Sequence, residues 1–120
     1  MTTRRRTAAR AAAPVAAVTA VLVSVLVTAA PAQADPDTAF ADQLHGFGIY
    51  GPGDYNAWLG EMTCKRLARG LDGDAYASST FISRNLARGT TSEQAIQFLG
   101  AAIGTYCPDQ VGVLQRAAAQ

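Results

Sequence analysis

The chain has 120 residues, 49% of them apolar and 16% charged, with a formal net charge of +1 at neutral pH. This composition excludes a collagen, a coiled-coil rod, a long disordered tail and a multidomain enzyme, and leaves one small domain as the expectation. Two cysteines and one histidine also leave little material for a zinc centre, although carboxylates could in principle complete one.

Four arginines, Arg4, Arg5, Arg6 and Arg10, open the chain, and residues 11–34 then carry no charge. Within that run Val15 to Val27 is apolar apart from Thr19 and Ser24, and Ala32-Gln33-Ala34 follows. A basic stretch, a short apolar core and a small-residue motif are, in that order, what a signal peptidase recognises. Residues 1–34 are therefore expected to be an export signal cleaved before Asp35. An uncleaved anchor is the competing reading, because an uncharged run of this length can cross a hydrocarbon layer of roughly 30 Å. The short apolar core and its small-residue ending favour cleavage. Thr7-Ala8-Ala9 is a poor continuation for a twin-arginine signal, and the absence of a cysteine before Cys64 speaks against a lipid-modified amino terminus.

Cleavage reverses the charge, since six basic residues then face nine acidic ones for a net −3. Such a domain offers little to neutralise phosphates, so nucleic acid is not an expected partner, and after cleavage no membrane span is expected either. Cys64 and Cys107, an even pair in a short exported chain, point to one disulfide. A redox or nucleophilic cysteine is the alternative, with Lys65 beside Cys64 to favour a thiolate, but no Cys-x-x-Cys pair supports it. A bridge would suit the size of the domain, because a chain this short buries only about 60 to 65% of its unfolded surface and usually needs a staple.

From Asp35 the apolar residues recur at three and four, and caps and breakers divide the chain into four helical segments. Asp35-Pro36 should cap a first helix running to about His45 with Phe40 and Leu44 inward, and Gly46 and Gly48 should supply a left-handed stop. Ile49 to Gly53 reads as a linker. Asp54 is the expected cap of a second helix, with Trp58, Leu59, Met62 and Leu67 as buried candidates and its end at Arg69. Asp72 and Asp74 place negative charge at the start of a third, in which Ala75, Ser79, Ile82 and Leu86 share one face. A capping box from Thr91 to Gln94, or from Thr90 to Glu93, opens a fourth that carries Ile96, Leu99, Ile103 and Tyr106 and stops at Pro108. No alternating run of β-branched residues follows the signal. The fold class is thus all-α: a small four-helix bundle, stapled by a Cys64–Cys107 disulfide, over residues 35–108. The tail, 109–120, can add a short fifth helix through Val111 and Leu114.

Glycine and alanine flank both cysteines. Ala57, Gly60 and Ala68 lie near Cys64, and Gly100 and Gly104 precede Cys107. Bridged Cα atoms sit about 4.4 to 6.8 Å apart, closer than helix axes usually come, so these stripes are expected to let two backbones approach. Indifferent glycine in a glycine-heavy composition is the alternative.

Chemistry is scarce. His45 ends the first segment, where a cation suits the helix dipole, and that role accounts for it more simply than metal binding or catalysis. Ser78, Ser79, Thr80 and Ser83 lie in no nucleophile-elbow pattern, so a small hydrolase using His45 is a remote alternative. No cofactor is implied. Five of the nine aromatic residues, Phe40, Phe47, Tyr50, Tyr55 and Trp58, fall around the linker. Core packing beneath a long loop is the simpler account of them; if any surface binds a partner, it is the one carrying Phe47, Tyr50, Tyr55 and Trp58.

In order, Phe40-Ala41-Asp42-Gln43-Leu44, Gly48-Ile49, Gly60 with Cys64, Leu67-Ala68-Arg69-Gly70, Ser92-Glu93-Gln94-Ala95, Phe98, Ala101-Ala102-Ile103 and Tyr106-Cys107-Pro108 resemble the domain of unknown function 732 family. These are small secreted proteins abundant in mycobacteria and their relatives. The resemblance covers about Asp37 to Pro108. It implies secretion, an all-helical fold and a Cys64–Cys107 bridge, and it brings no catalytic residues. The expected function is that of a secreted or envelope-associated binding module for an unidentified protein. A carrier of a small apolar ligand between helices is the alternative, for which a gap of more than about 300 Å³ between the first, second and fourth helices is the requirement.

Overall fold

Each helix boundary has a cause in one or two residues. In the computed structural model, which describes residues 35–120, α1 spans Pro36–Gly46 and begins where the Asp35 carboxylate accepts the Asp37 N–H. Gly48, at φ +77°, turns the chain out of it and donates its N–H to the His45 carbonyl. Gly46, also expected to be left-handed, stays inside the helix. The export signal expected over 1–34 lies outside the described residues.

Helix α2 spans Gly53–Ala68, and its cap is Pro52 rather than Asp54. Asp54 is already helical and sets its charge against the positive end of the dipole, so its role is electrostatic and not that of a cap. Helix α3, Ala75–Asn85, starts as its cap Asp74 accepts the Ala77 N–H. Helix α4, Ser92–Tyr106, opens on the Thr91 to Gln94 capping box, with both hydrogen bonds made. The Thr90 hydroxyl instead donates to the Ala87 carbonyl, which removes the Thr90 to Glu93 alternative. Pro108–Gln110 forms a 3-10 turn that leads into α5, Val111–Ala118. The described residues contain five α-helices and no strand.

Helix α4 is the centre of the bundle and packs on α1, α2 and α3. Phe98, Leu99, Ala102 and Ile103 are buried along it, against Phe40 and Leu44 of α1, Leu59 and Leu67 of α2 and Ile82 of α3. Phe40 is the hub, edge-on to Phe98 at 5.2 Å and to Tyr106 at 5.1 Å. The Tyr106 hydroxyl reaches back to α1 and donates to Asp37 Oδ1 at 2.7 Å. Partial burial, reinforced by that bond, pushes the Tyr106 phenol above its ordinary range. Helix α5 inserts Val113 beside α3 and α4, with Leu114 half-buried and Val111 exposed.

Two inward faces differ from expectation. Ser78, not Ser79, is the buried serine of α3, because Asp72 is buried as well and takes a hydrogen bond from Ser78 Oγ at 3.2 Å. Arg66 grips the same carboxylate through Nε and Nη2, at 3.1 and 2.9 Å, while its guanidinium lies 4.1 Å over the Phe81 ring. Asp72 therefore fastens α2 to α3 instead of capping a helix. On α4 the inner small residues are Ala101 and Ala102, whereas Ile96 is exposed. An added Cβ at Gly100 or Gly104 would meet nothing within 4 Å, so neither glycine permits a close approach. Gly60 does, since a Cβ there would fall 2.9 Å from Tyr106 Cε2 and 3.1 Å from Phe40 Cζ. The Cys64–Cys107 disulfide spans a Cα–Cα distance of 5.9 Å, with both residues buried.

Candidate binding site

The helices run alternately up and down, so α1 ends and α2 begins at the same pole where α3 ends and α4 begins. The disulfide lies toward the opposite pole, near the ends of α2 and α4. Of the aromatic residues around the linker, Phe47, Tyr50 and Tyr55 lie at the first pole and Trp58 pairs with Tyr55 early in α2, whereas Phe40 sits deeper, against Phe98 and Tyr106. Phe40 and Phe47 do pack into the core or against it. Tyr50 is 69% exposed, Trp58 48% and Tyr55 40%. Core packing, the simpler expectation for this group, therefore fails for these three. The inner face of α2 carries Asn56, Ala57, Gly60 and Thr63, and above Gly60 the rings of Phe40 and Tyr106 occupy the space a larger side chain would need. Tyr55 and Trp58 are left on the outer edge, and Met62 is only half-buried.

These side chains are ordered by one another. His45 stacks on Tyr50 with centroids 5.1 Å apart and the planes 28° from parallel. Tyr55 and Trp58 lie 5.7 Å apart, and the Tyr55 hydroxyl donates to the Asn85 carbonyl at 2.7 Å, which ties the start of α2 to the end of α3. Gln94 adds a brace from α4. Its Nε2 donates to the Phe47 carbonyl at 3.1 Å while its Oε1 takes the Thr91 N–H at 2.9 Å.

Between the two loops lies a cleft of about 440 Å³, walled by Gly48, Ile49, Tyr50 and Gly51 on one side and by Leu86, Ala87, Arg88, Gly89, Thr90 and Gln94 on the other. A second hollow, about 320 Å³, is an apolar furrow among Ala75, Tyr76, Ile96, Leu114, Ala117 and Ala118, on the surface formed by α3, α4 and α5. Neither sits between α1, α2 and α4, where an apolar carrier was expected to hold its cargo; the rings of Phe40, Phe98 and Tyr106 fill that space.

His45 is exposed in the last turn of α1, and its ring partner is Tyr50. The hydroxyls of Ser78 and Ser79 donate to Asp72 and to the Tyr76 carbonyl, so neither is engaged with the imidazole. Both cysteines are spent in the disulfide, which rules out a free nucleophilic thiol in this state. Among the described residues no three of His, Cys, Asp and Glu converge as metal ligands do. No helix of the described residues is long and apolar enough to cross a membrane. The sequence reading missed Arg88 and the double role of Gln94. The capping pattern did single out Gln94, but nothing local in sequence signals its bond to a carbonyl 47 positions earlier.

The family model described as "protein of unknown function (DUF732)" matches residues 36–109. The chain belongs to the DUF732 family. Two Mycobacterium tuberculosis proteins are each 68% identical to it over 90 residues, covering 74% of this chain and 80% of theirs: uncharacterized protein MT0585 of strain CDC 1551 / Oshkosh and uncharacterized protein Rv0559c of strain ATCC 25618 / H37Rv. No solved structure matches the chain. The DUF732 match runs from α1 to the 3-10 turn, so it includes the aromatic pole, Arg88 and Gln94, while α5 lies beyond it.

Proposed function

We propose that this DUF732 protein is an exported helical module, secreted or held at the cell envelope, that works by binding another protein through its aromatic pole. The observation that carries the reading is the exposure of three aromatic side chains, Tyr50, Tyr55 and Trp58, around the junction of α1 and α2. Tyrosine and tryptophan combine large apolar area with a polar tip and dominate binding energy where proteins meet. Export is supported by the basic, apolar and small-residue order of 1–34 and by the disulfide, a bond that persists in oxidising compartments.

The test is photo-crosslinking from positions 50 and 58 in cells producing the native protein, with position 71 on the opposite pole as control. A discrete adduct from 50 and 58, absent from 71 and lost on Trp58→Ser or Tyr50→Ser at the unlabelled position, is the expected outcome. Equal labelling from all three positions, or none from the aromatic pole, refutes the reading. Fractionation of the same cells checks export, with a product beginning at Asp35 outside the cytoplasm as the expectation. A second reading, a carrier of a small apolar ligand, loses the space between α1, α2 and α4 that it required and is left with the surface furrow between α3, α4 and α5. It requires such a molecule to be recovered with the native protein, by mass spectrometry, in near-stoichiometric amount.

A further inference from the structure

We infer that the cleft between the two loops binds a small organic anion, one acidic head group carried on a flat apolar body. The inference rests on the reading of this pole as the binding end and names the chemistry of a ligand there. Charge is the first argument. After residue 34 the chain has more acidic than basic residues, yet Arg88 is the only charged side chain lining the cleft, and no carboxylate lines it. Among the described residues the one ion pair is Arg66–Asp72, so the Arg88 guanidinium keeps its five donors for a ligand. Arg88 therefore gives this cleft a local positive charge with no carboxylate in its lining to neutralise it.

Backbone donors are the second argument. The N–H groups of Tyr50 and Gly51 on one wall, and of Arg88 and Gly89 on the other, make no hydrogen bond to any described residue. Amide donors left free on residues that line the same cleft as a guanidinium can add to its recognition of a carboxylate or sulfonate oxygen. The walls then specify the remainder of the ligand. Of the lining residues Ile49 is buried and Leu86 half-buried, and the exposed Tyr50 ring offers a flat surface steadied by His45. A volume of about 440 Å³ lies in the range of small-molecule sites. The Gln94 brace to Phe47 fixes the spacing of the two walls, so the site is built before a ligand arrives.

Naphthalene-1-carboxylate is a suitable probe and its neutral carboxamide the comparator, followed by amide NMR on the full-length chain. The carboxylate should produce saturable shifts centred on Tyr50, Gly51, Arg88 and Gly89, and the carboxamide should bind at least tenfold more weakly. Arg88→Gln should weaken the carboxylate by about tenfold, Arg88→Lys by less, and Arg84→Gln, one turn back on α3, should leave it unchanged. Since Arg88 is an exposed loop residue, an unaltered amide spectrum away from the cleft confirms that each variant is folded. Equal binding of carboxylate and carboxamide overturns the inference. So does an Arg88→Gln variant that binds normally, or a response centred on Tyr76, Ile96 and Leu114 in the apolar furrow. Protein adducts from Trp58 without these shifts would sink the anion site alone. The shifts without adducts would sustain it and sink the protein-binding reading.

Discussion

Three glycine-to-alanine substitutions that are chemically identical should differ in sign. Alanine gains about 1 kcal/mol over glycine inside a helix, from backbone entropy alone. At Gly100 and Gly104 an added methyl meets nothing within 4 Å, so each substitution should stabilise the fold by about 0.5 to 1 kcal/mol. At Gly60 the same methyl would stand 2.9 Å from Tyr106 Cε2 and 3.1 Å from Phe40 Cζ. Neither ring can yield cheaply. Phe40 is wedged between Phe98 and Tyr106, and Tyr106 is tethered by its hydroxyl to Asp37. Overpacking of this kind costs about 1 to 3 kcal/mol and should exceed the propensity gain, for a net loss of about 1 to 2 kcal/mol. For a domain of this size each kcal/mol moves Tm by about 4 to 8 °C, so urea and thermal unfolding of the three variants resolve the difference. If Gly60→Ala raised Tm as Gly100→Ala does, the close approach of α2 to the α1–α4 rings would be wrong.

Replacing both Cys64 and Cys107 by alanine should cost about 3 to 4 kcal/mol by the chain-entropy model, with a steeper dependence on urea as the unfolded chain expands; a loss under 1 kcal/mol would show that the bridge is not the main staple. Because the folded state holds the Tyr106 proton more tightly than the unfolded chain, whose phenol titrates near 10, stability should fall as pH rises above about 10. Tyr106→Phe should flatten that fall, and chemical denaturation at pH 9 to 11 measures it. Gln94→Ala removes both the return half of the capping box and the bond to Phe47, so it should lower stability by about 1 to 2 kcal/mol. Hydrogen exchange should also quicken at the amides of the 47–51 loop in that variant.

The elements that could be read from sequence were those whose signals are local. Asp35-Pro36 opens α1 and Thr91 to Gln94 opens α4 because a cap is a bond between near neighbours. The phase of α3 was not legible: Ser78 rather than Ser79 turns inward because Asp72 is buried beside Arg66, and a carboxylate so placed recruits a hydroxyl across six positions. Periodicity put Trp58 with Leu59 on the buried side of α2, since a broad apolar stripe does not mark its own edge. The edge is set by Phe40 and Tyr106 arriving from other helices. For the same reason the aromatic residues could be singled out as a group, but their split into packed Phe40 and Phe47 and exposed Tyr50, Tyr55 and Trp58 is decided only in three dimensions. The cleft, formed by two loops some 40 positions apart, leaves no trace in either loop alone.

The bundle is covalently anchored at one pole only. At the other pole the Gln94 and Tyr55 hydrogen bonds hold the helices in place of a covalent tie, and only the loop segments beyond them are left to move. The loop tips at 50–51 and 87–89, which leave out the core residues Phe47 and Ile49 and the α4 cap Thr91, can therefore change in sequence at little cost to the anchored half. A scaffold of this kind can carry different recognition tips on one anchored handle, and grafting foreign loop tips at those two places would put that capacity to use.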